Sequence, residues 1–364
     1  MIREIHEQPG VLAETLQHYV ADGAFRAGVC DPIRNWLANA REVVIAASGS
    51  SRHAGMVAEV LMEDLSGIHV DVEYASEYNY RSERAIKNAS VMVISQSGET
   101  SDTLTALRKA NAGGHQTLAI TNVAESTMAR EATVSFPTFA GKEFAVPATK
   151  SFTTQLLNVY LLALLAAESR GTLSAEEIRE RLEALSELPG LIDAQLSSWN
   201  RAVHTIAAKY ESTRSLLFLG RDIHYPIARE GALKLKESAY LHAEGYPSGE
   251  LKHGPNALVG EDTALVMLAT VDQRDPASVE RYEKVVQLMA DMRKQGANIL
   301  AIANEGDQAV LDLANHVVTV LPIQEALLPF CEVVPLQMFS YVMAINNGID
   351  VDRPRNLSKA VLVD

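Results

Sequence analysis

The sequence predicts an α/β protein made of two similar halves, each a parallel sheet covered on both faces by helices. Two observations carry this. Short apolar, strand-like runs alternate with helical patterns of about 12 to 18 residues, the rhythm of strands joined by crossover helices. The halves also share a register. Residues 43–46 read as a strand that runs into Ser48-Gly49-Ser50-Ser51, and residues 216–219 run into Gly220-Arg221-Asp222. Ten residues past Gly49 and Gly220 stand Glu59 and Glu230, and 24 residues past them stand Glu73 and Glu244. Further along, residues 117–122 (TLAITN) match 299–304 (ILAIAN), with apolar runs near Val134 and Val317 following.

Size and composition fit this duplication. A chain of 364 residues, 47% hydrophobic and 21% charged, is long enough for two domains that each bury a core. We expect a helical segment at 1–28, a first domain at 29–170, a connector at 171–200, a second domain at 201–350 and a tail at 351–364. Ser174 and Glu177 form a Ser-x-x-Glu capping box ahead of helical periodicity, so the connector should be helical.

A formal charge of -14 argues against nucleic acid or an anionic membrane as partner, since both require clustered positive charge. Cys30 and Cys331 match no metal spacing, and neither H-E-x-x-H nor a Cys/His cluster is present, so no metal or other cofactor is expected. No run approaches the ~18 apolar residues that span a bilayer, and the opening MIREIHEQPG lacks a signal-peptide core. The sequence reads as a complete, reduced, cytoplasmic chain.

Three loops carry candidate chemistry. Ser95-Gln96-Ser97-Gly98-Glu99-Thr100 follows the strand-like residues 91–94 and precedes a helical pattern from Asp102. Backbone N–H groups at a helix start, with hydroxyls from Ser95, Ser97 and Thr100, suit a phosphate without any lysine. Gly98 permits close backbone approach. Ser48-Gly49-Ser50-Ser51 occupies the same kind of strand-to-helix position, so both loops should open at the carboxyl edge of one sheet, where open α/β folds bind ligands. Gly220-Arg221-Asp222-Ile223 lacks the hydroxyls, so only the first half is equipped for phosphate.

The third element is 231–255, GALKLKESAYLHAEGYPSGELKHGP. Pro226, just upstream, suits a first helical turn, and Lys234 and Glu237 stand three apart on one helix face. Glu237 in a cleft suits a base that moves a proton between adjacent sugar carbons; on the surface the same pair is a solvated ion pair. His253 is expected in a turn, where an imidazole can protonate a ring oxygen. His242 is expected mid-helix as a packed core residue, and His53 and His224 as helix-start residues without a catalytic task.

These segments resemble a known family in order. Gly49-Ser50-Ser51-Arg52-His53-Ala54-Gly55, Ser95–Thr100, Ala148-Thr149-Lys150-Ser151-Phe152, the 231–255 block and Arg355-Asn356-Leu357-Ser358-Lys359 are similar to the isomerase part of glucosamine-6-phosphate synthase, as is the opening EIHEQP. The resemblance implies two tandem sugar isomerase (SIS) domains, each a flavodoxin-like, doubly wound sheet. It implies that Gly49, Ser50, Ser51, Ser95, Gln96, Ser97 and Thr100 hold the 6-phosphate and nearby hydroxyls, with Val146 and Ala148 also lining the sugar. Glu237 would shuttle the proton between C1 and C2. Lys234 and Lys359 would contact sugar oxygens or the carbonyl carbon, with the tail closing over the sugar. His253 would serve ring opening from a neighbouring subunit, which implies a homodimer with shared sites.

Two departures bear on the reaction. The synthase carries an N-terminal glutaminase domain that this sequence lacks, and no separate glutaminase is indicated, so the implied reaction is a deaminase converting glucosamine 6-phosphate to fructose 6-phosphate and ammonia. Pro147-Ala148 also stands where the synthase has Ala-Ser. Glu99-Thr100 and Arg355-Asn356-Leu357 look more like the synthase. The alternatives are therefore a synthase-like isomerase that uses free ammonia or a separate glutaminase or only interconverts hexose phosphates, a deglycase for 6-phosphorylated fructosamines, and a non-catalytic sugar-phosphate sensor.

Overall fold

A computed structural model describes residues 1–82, 88–260 and 262–359. Its contacts divide the chain into two compact units that interleave along the sequence. One comprises Glu7–Glu143, Lys150–Pro189 and the chain from Ser358; the other comprises Met1–His6, Phe144–Thr149 and Gly190–Leu357.

In the first unit the elements are β1 (Glu42–Ala47), α1 (Gly49–Ser66), β2 (His69–Tyr74), β3 (Ser90–Ser95), α2 (Ser101–Ala112), β4 (Thr117–Thr121), β5 (Val134–Ser135) and α3 (Lys150–Arg170). The strands pair in the order β2-β1-β3-β4-β5, every pair parallel. Central strands β1 and β3 are buried almost end to end, which is why their apolar runs are continuous. On one face Val44, Ala46, Val91 and Val93 pack with Leu104 and Leu107 of α2. Helix α3 packs against α1 and is buried from Lys150 through Ala167, so it shows no polar stripe. Each buried leucine there contributes roughly 1.5–3 kcal/mol of hydrophobic stabilisation.

Helix α4 (Ala175–Ala207) carries the chain from the first unit into the second at Pro189, whose missing N–H removes one bond of the helical ladder. Its start is the expected capping box: Ser174 Oγ accepts the Glu177 N–H at 3.2 Å, and Glu177 Oε2 accepts the Ser174 N–H at 2.7 Å.

The second unit holds β6 (Ser215–Gly220), α5 (His224–Ala239), β7 (His242–Pro247), β8 (Thr263–Ala269), α6 (Pro276–Lys294), β9 (Asn298–Asn304), β10 (His316–Val320) and α7 (Leu328–Asn346). The order β10-β9-β8-β6-β7, again wholly parallel, is the first sheet's order with each strand replaced by its counterpart. Helix α7 packs against α5 as α3 packs against α1. The stretch Glu325–Asn346 is long and apolar enough to cross a bilayer by length and composition, yet 89% of its most apolar 18-residue window is buried inside the protein as a core helix.

One expectation fails here. His242 is not a packed mid-helix residue but the exposed first residue of β7, its Nδ1 3.1 Å from Ser215 Oγ. The helix has already ended, because Tyr240 turns into the left-handed conformation at φ 57°.

Candidate active site

In the strand order 2-1-3-4-5 the connections diverge between β1 and β3, so the loops leaving those strands flank the crevice where such sheets bind ligands. The β3 loop is braced by its own hydroxyls. Ser95 Oγ lies 3.0 Å from Thr100 Oγ1 and accepts the Gly98 N–H at 3.1 Å, while Ser97 Oγ accepts the Glu99 N–H at 3.1 Å. Neighbouring segments fix the outer side: the Asn122 N–H donates to Gln96 O, the Met128 N–H to Gly98 O, and the Thr127 N–H to Glu99 Oε1 at 2.7 Å. Gly98 has φ 66°, and a Cβ there would fall 2.1 Å from Ser126 Oγ, so both conformation and space demand glycine.

Thr100 caps α2 without a side-chain hydrogen bond to the first turn. Orphan N–H groups at that helix start suit an anion, beside half-buried Gln96, Ser97 and Thr100. The β1 loop is similar. Ser48 makes no capping bond, Gly49 is exposed at φ 54°, and half-buried Ser51 receives a 3.0 Å hydrogen bond from Gln155 Nε2 of α3. Gln155 was not foreseen, because nothing in sequence pattern brings the second turn of a later helix to this loop.

The first unit also holds Lys359. Its ammonium pairs with the fully buried carboxylate of Glu143, which accepts the Ser151 N–H at 3.2 Å and the Ser151 hydroxyl at 2.7 Å. Lys150 pairs with Glu7 at 2.8 Å. Sequence reasoning missed Glu143: one charged residue in an irregular stretch gives no signal until the fold buries it.

The second unit holds the acid/base candidates. Helix α5 places Glu230, Lys234 and Glu237 on one face. Lys234 Nζ lies 2.6 Å from Glu237 Oε2 and 3.4 Å from Glu230 Oε1. The side chains of Glu230 and Lys234 are 0% and 1% exposed and that of Glu237 is 22% exposed. This is no solvated surface pair. Two carboxylates share one buried ammonium, and Glu237 is the member open to solvent. His253 is exposed, the last residue of a 3-10 helix (Ser248–His253) rather than of an irregular turn, and Gly254 at φ 146° ends it. Val146 and Ala148 are half-buried in Phe144–Thr149, a segment held by the Glu4 carboxylate, which accepts the Phe144 and Ala145 N–H groups, and by Gln337 Nε2, which donates to Thr149 O.

The second sheet has its own divergence point between β6 and β8, and charged side chains fill it. His224 Nε2 lies 3.2 Å from Glu325 Oε1, and Nδ1 lies 2.7 Å from Glu332 Oε1, although without hydrogen-bond geometry at that nitrogen. Arg281 grips Glu325 and reaches Asp222 at 3.1 Å; the Thr270 hydroxyl donates to Glu332. Burial pulls the His224 imidazole down, but the charges of Glu332 and Glu325 override it and hold the group at about 10. Burial likewise raises Glu325, while hydrogen bonds from His224 and Arg281 prevail and hold it at about 2. Where the first sheet has hydroxyl loops, this one has an ion network. Among the described residues no cluster of three or more His, Cys, Asp or Glu side chains suits a metal ion.

A model of the SIS domain matches residues 36–165 and 209–347, one copy for each sheet. Glutamine–fructose-6-phosphate aminotransferase [isomerizing] from Chlorobaculum tepidum is 41% identical across the whole chain, which spans 58% of that relative's length. The enzyme of the same name from Pseudomonas putida is 42% identical, again over the whole chain and 59% of its own length. Among solved structures, the C-terminal domain of glucosamine-fructose-6-phosphate aminotransferase from Francisella tularensis superposes with a TM-score of 0.89 at 33% identity, covering 97% of each chain. A glucosamine-6-phosphate deaminase from Thermotoga maritima shares the fold, with a TM-score of 0.72 at 24% identity over 99% of each chain.

Proposed function

Because the chain belongs to the SIS-domain family, we propose that it is a sugar-phosphate isomerase that moves a proton between C1 and C2 of a hexosamine 6-phosphate, converting glucosamine 6-phosphate to fructose 6-phosphate and ammonia. The observation that carries this is the Glu230–Lys234–Glu237 ladder, in which a buried ammonium orients one carboxylate that stays accessible. A sensor needs the phosphate loops but no such base.

In this reading the hydroxyls of Ser50, Ser51, Ser95, Ser97 and Thr100, with Gln96 and the α2 amides, hold the 6-phosphate and nearby oxygens. Val146 and Ala148 line the sugar. His253, reaching from a partner copy in a homodimer, protonates the ring oxygen to open the ring. Glu237 then takes the proton from C2 of the open aldose and returns it to C1, giving the 2-imine of fructose 6-phosphate. Water adds to that imine, ammonia leaves, and the ketose remains. Lys359 sits near the carbonyl carbon and stabilises charge developing on the oxygen at C1.

The relatives' name, an aminotransferase acting on fructose 6-phosphate, favours the opposite direction, which uses the same proton transfer. Incubation of the purified protein with glucosamine 6-phosphate, without glutamine, distinguishes the two. Stoichiometric fructose 6-phosphate and ammonia supports the deaminase direction. Product only from fructose 6-phosphate plus ammonium supports the synthetic one. Turnover undiminished in Glu237→Gln would remove Glu237 from the reaction, whereas loss of turnover with sugar-phosphate affinity kept is the expected result.

A further inference from the structure

Gln155 is 2% exposed, in a helix whose neighbouring residues Phe152, Leu156 and Val159 are buried apolar side chains. Burying an amide is unfavourable unless its polar atoms are paired. Here one pairing is made. Nε2 donates to Ser51 Oγ at 3.0 Å, whereas the buried Oε1 accepts nothing among the described residues. A methionine or leucine would fill the same space without that penalty, so the amide calls for a use of its donor. Other polar side chains of α3 serve the fold. The Thr154 hydroxyl donates back to Lys150 O, and Asn158 Nδ2 donates to Phe136 O and Pro137 O. Gln155 differs, because its partner is a loop hydroxyl. The start of α3 is itself fixed, through Ser151 on Glu143 and Lys150 on Glu7, so the donor is held in place.

Ser51 is half-buried in the first turn of α1, and among the described residues its hydroxyl makes no other hydrogen bond. A serine hydroxyl has one proton and two lone pairs. With a lone pair taken by Gln155, the proton remains to be donated, beside the N–H groups that the α1 start leaves unpaired. A phosphate oxygen suits such a donor, since it accepts and has no proton to give. We propose that Gln155 is a positioning residue for the phosphate: by donating to Ser51 Oγ it turns the Ser51 hydroxyl into a fixed donor toward the 6-phosphate. The inference rests on the isomerase reading given above and deepens it. Gln155, Ser51 and both hydroxyl loops belong to the first unit.

The test measures binding of inorganic phosphate and of glucosamine 6-phosphate by calorimetry in wild type, Gln155→Met, Ser51→Ala and the double variant. Methionine keeps the volume and removes the donor. Affinity for both ligands should fall about five- to tenfold in Gln155→Met, with KM raised and kcat held. On the Ser51→Ala background the same substitution should bring no further loss, whereas on a Ser97→Ala background, in the other loop, the full loss should reappear. An equal loss with and without the Ser51 hydroxyl means that Gln155 supports the helix alone, and overturns the proposal. Unchanged affinity overturns it too, as does tighter binding, which would mean that the amide draws the Ser51 proton inward. Gln155→Leu repeats the cycle should the methionine variant fail to fold. Wild-type protein that shows this coupling, yet turns over neither glucosamine 6-phosphate nor fructose 6-phosphate with ammonium, overturns the isomerase reading and leaves the role of Gln155 standing.

Discussion

Lys234 is the residue on which the acid/base ladder depends, because its ammonium lies beside two carboxylates and one of these, Glu230, is wholly buried. Lys234→Met removes a buried ammonium from beside the buried Glu230 carboxylate and from Glu237, and we expect a loss of about 3–5 kcal/mol of stability, read by urea denaturation. An exposed pair would give less than about 1 kcal/mol, so the size of the loss decides between a buried and a solvated arrangement. His224 makes a different prediction. Its folded value of about 10 lies above the ordinary 6.5, so its contribution is complete below pH 6.5 and disappears as pH climbs through about 10. Glu325, held at about 2 against an ordinary 4.5, contributes above pH 4.5 and loses that contribution as pH falls toward 2. Thermal midpoints measured from pH 4.5 to 10 should decline on the alkaline side in the wild type. In His224→Gln that slope should flatten and the whole curve should drop.

At the scale of elements, the β3 loop is a scaffold of short hydrogen bonds around one glycine. Gly98→Ala forces a Cβ into Ser126 Oγ at a positive φ, and the loop must shift. We expect sugar-phosphate affinity to drop by about tenfold or more with little change in helix content, measured by calorimetry and circular dichroism. Elements of this kind were legible in sequence because they are local. Residues 43–46, 91–94 and 216–219 fall inside β1, β3 and β6, and the capping box at Ser174 is present. The hydroxyl loops announced themselves through composition at a strand-to-helix junction. Tertiary proximity was not legible. Gln155 beside Ser51, Glu143 beneath Lys359 and the charge cluster around His224 join residues far apart in sequence, and no periodicity encodes that. His242 was misread because the helical pattern of residues 224–239 gives no warning that Tyr240 adopts a left-handed cap.

Across the whole molecule, the proposed reaction divides its groups among segments distant in the chain, and in the proposed homodimer it also divides them between copies. Mixing Glu237→Gln with His253→Ala tests that. If each site takes Glu237 from one copy and His253 from the other, heterodimers regain one intact site, and an equimolar, re-equilibrated mixture should recover about a quarter of wild-type activity. Sites built within one chain would recover none.

The filled divergence point of the second sheet has a further consequence, one of stoichiometry. The chain repeats its fold, strand for strand, but not its loops: hydroxyls line one crevice, whereas His224, Glu325, Glu332 and Arg281 close the other with charges of their own. Duplication has doubled the architecture but kept one hydroxyl-lined crevice per chain, so in the proposed function saturation with a sugar phosphate should count polypeptides, not sheets.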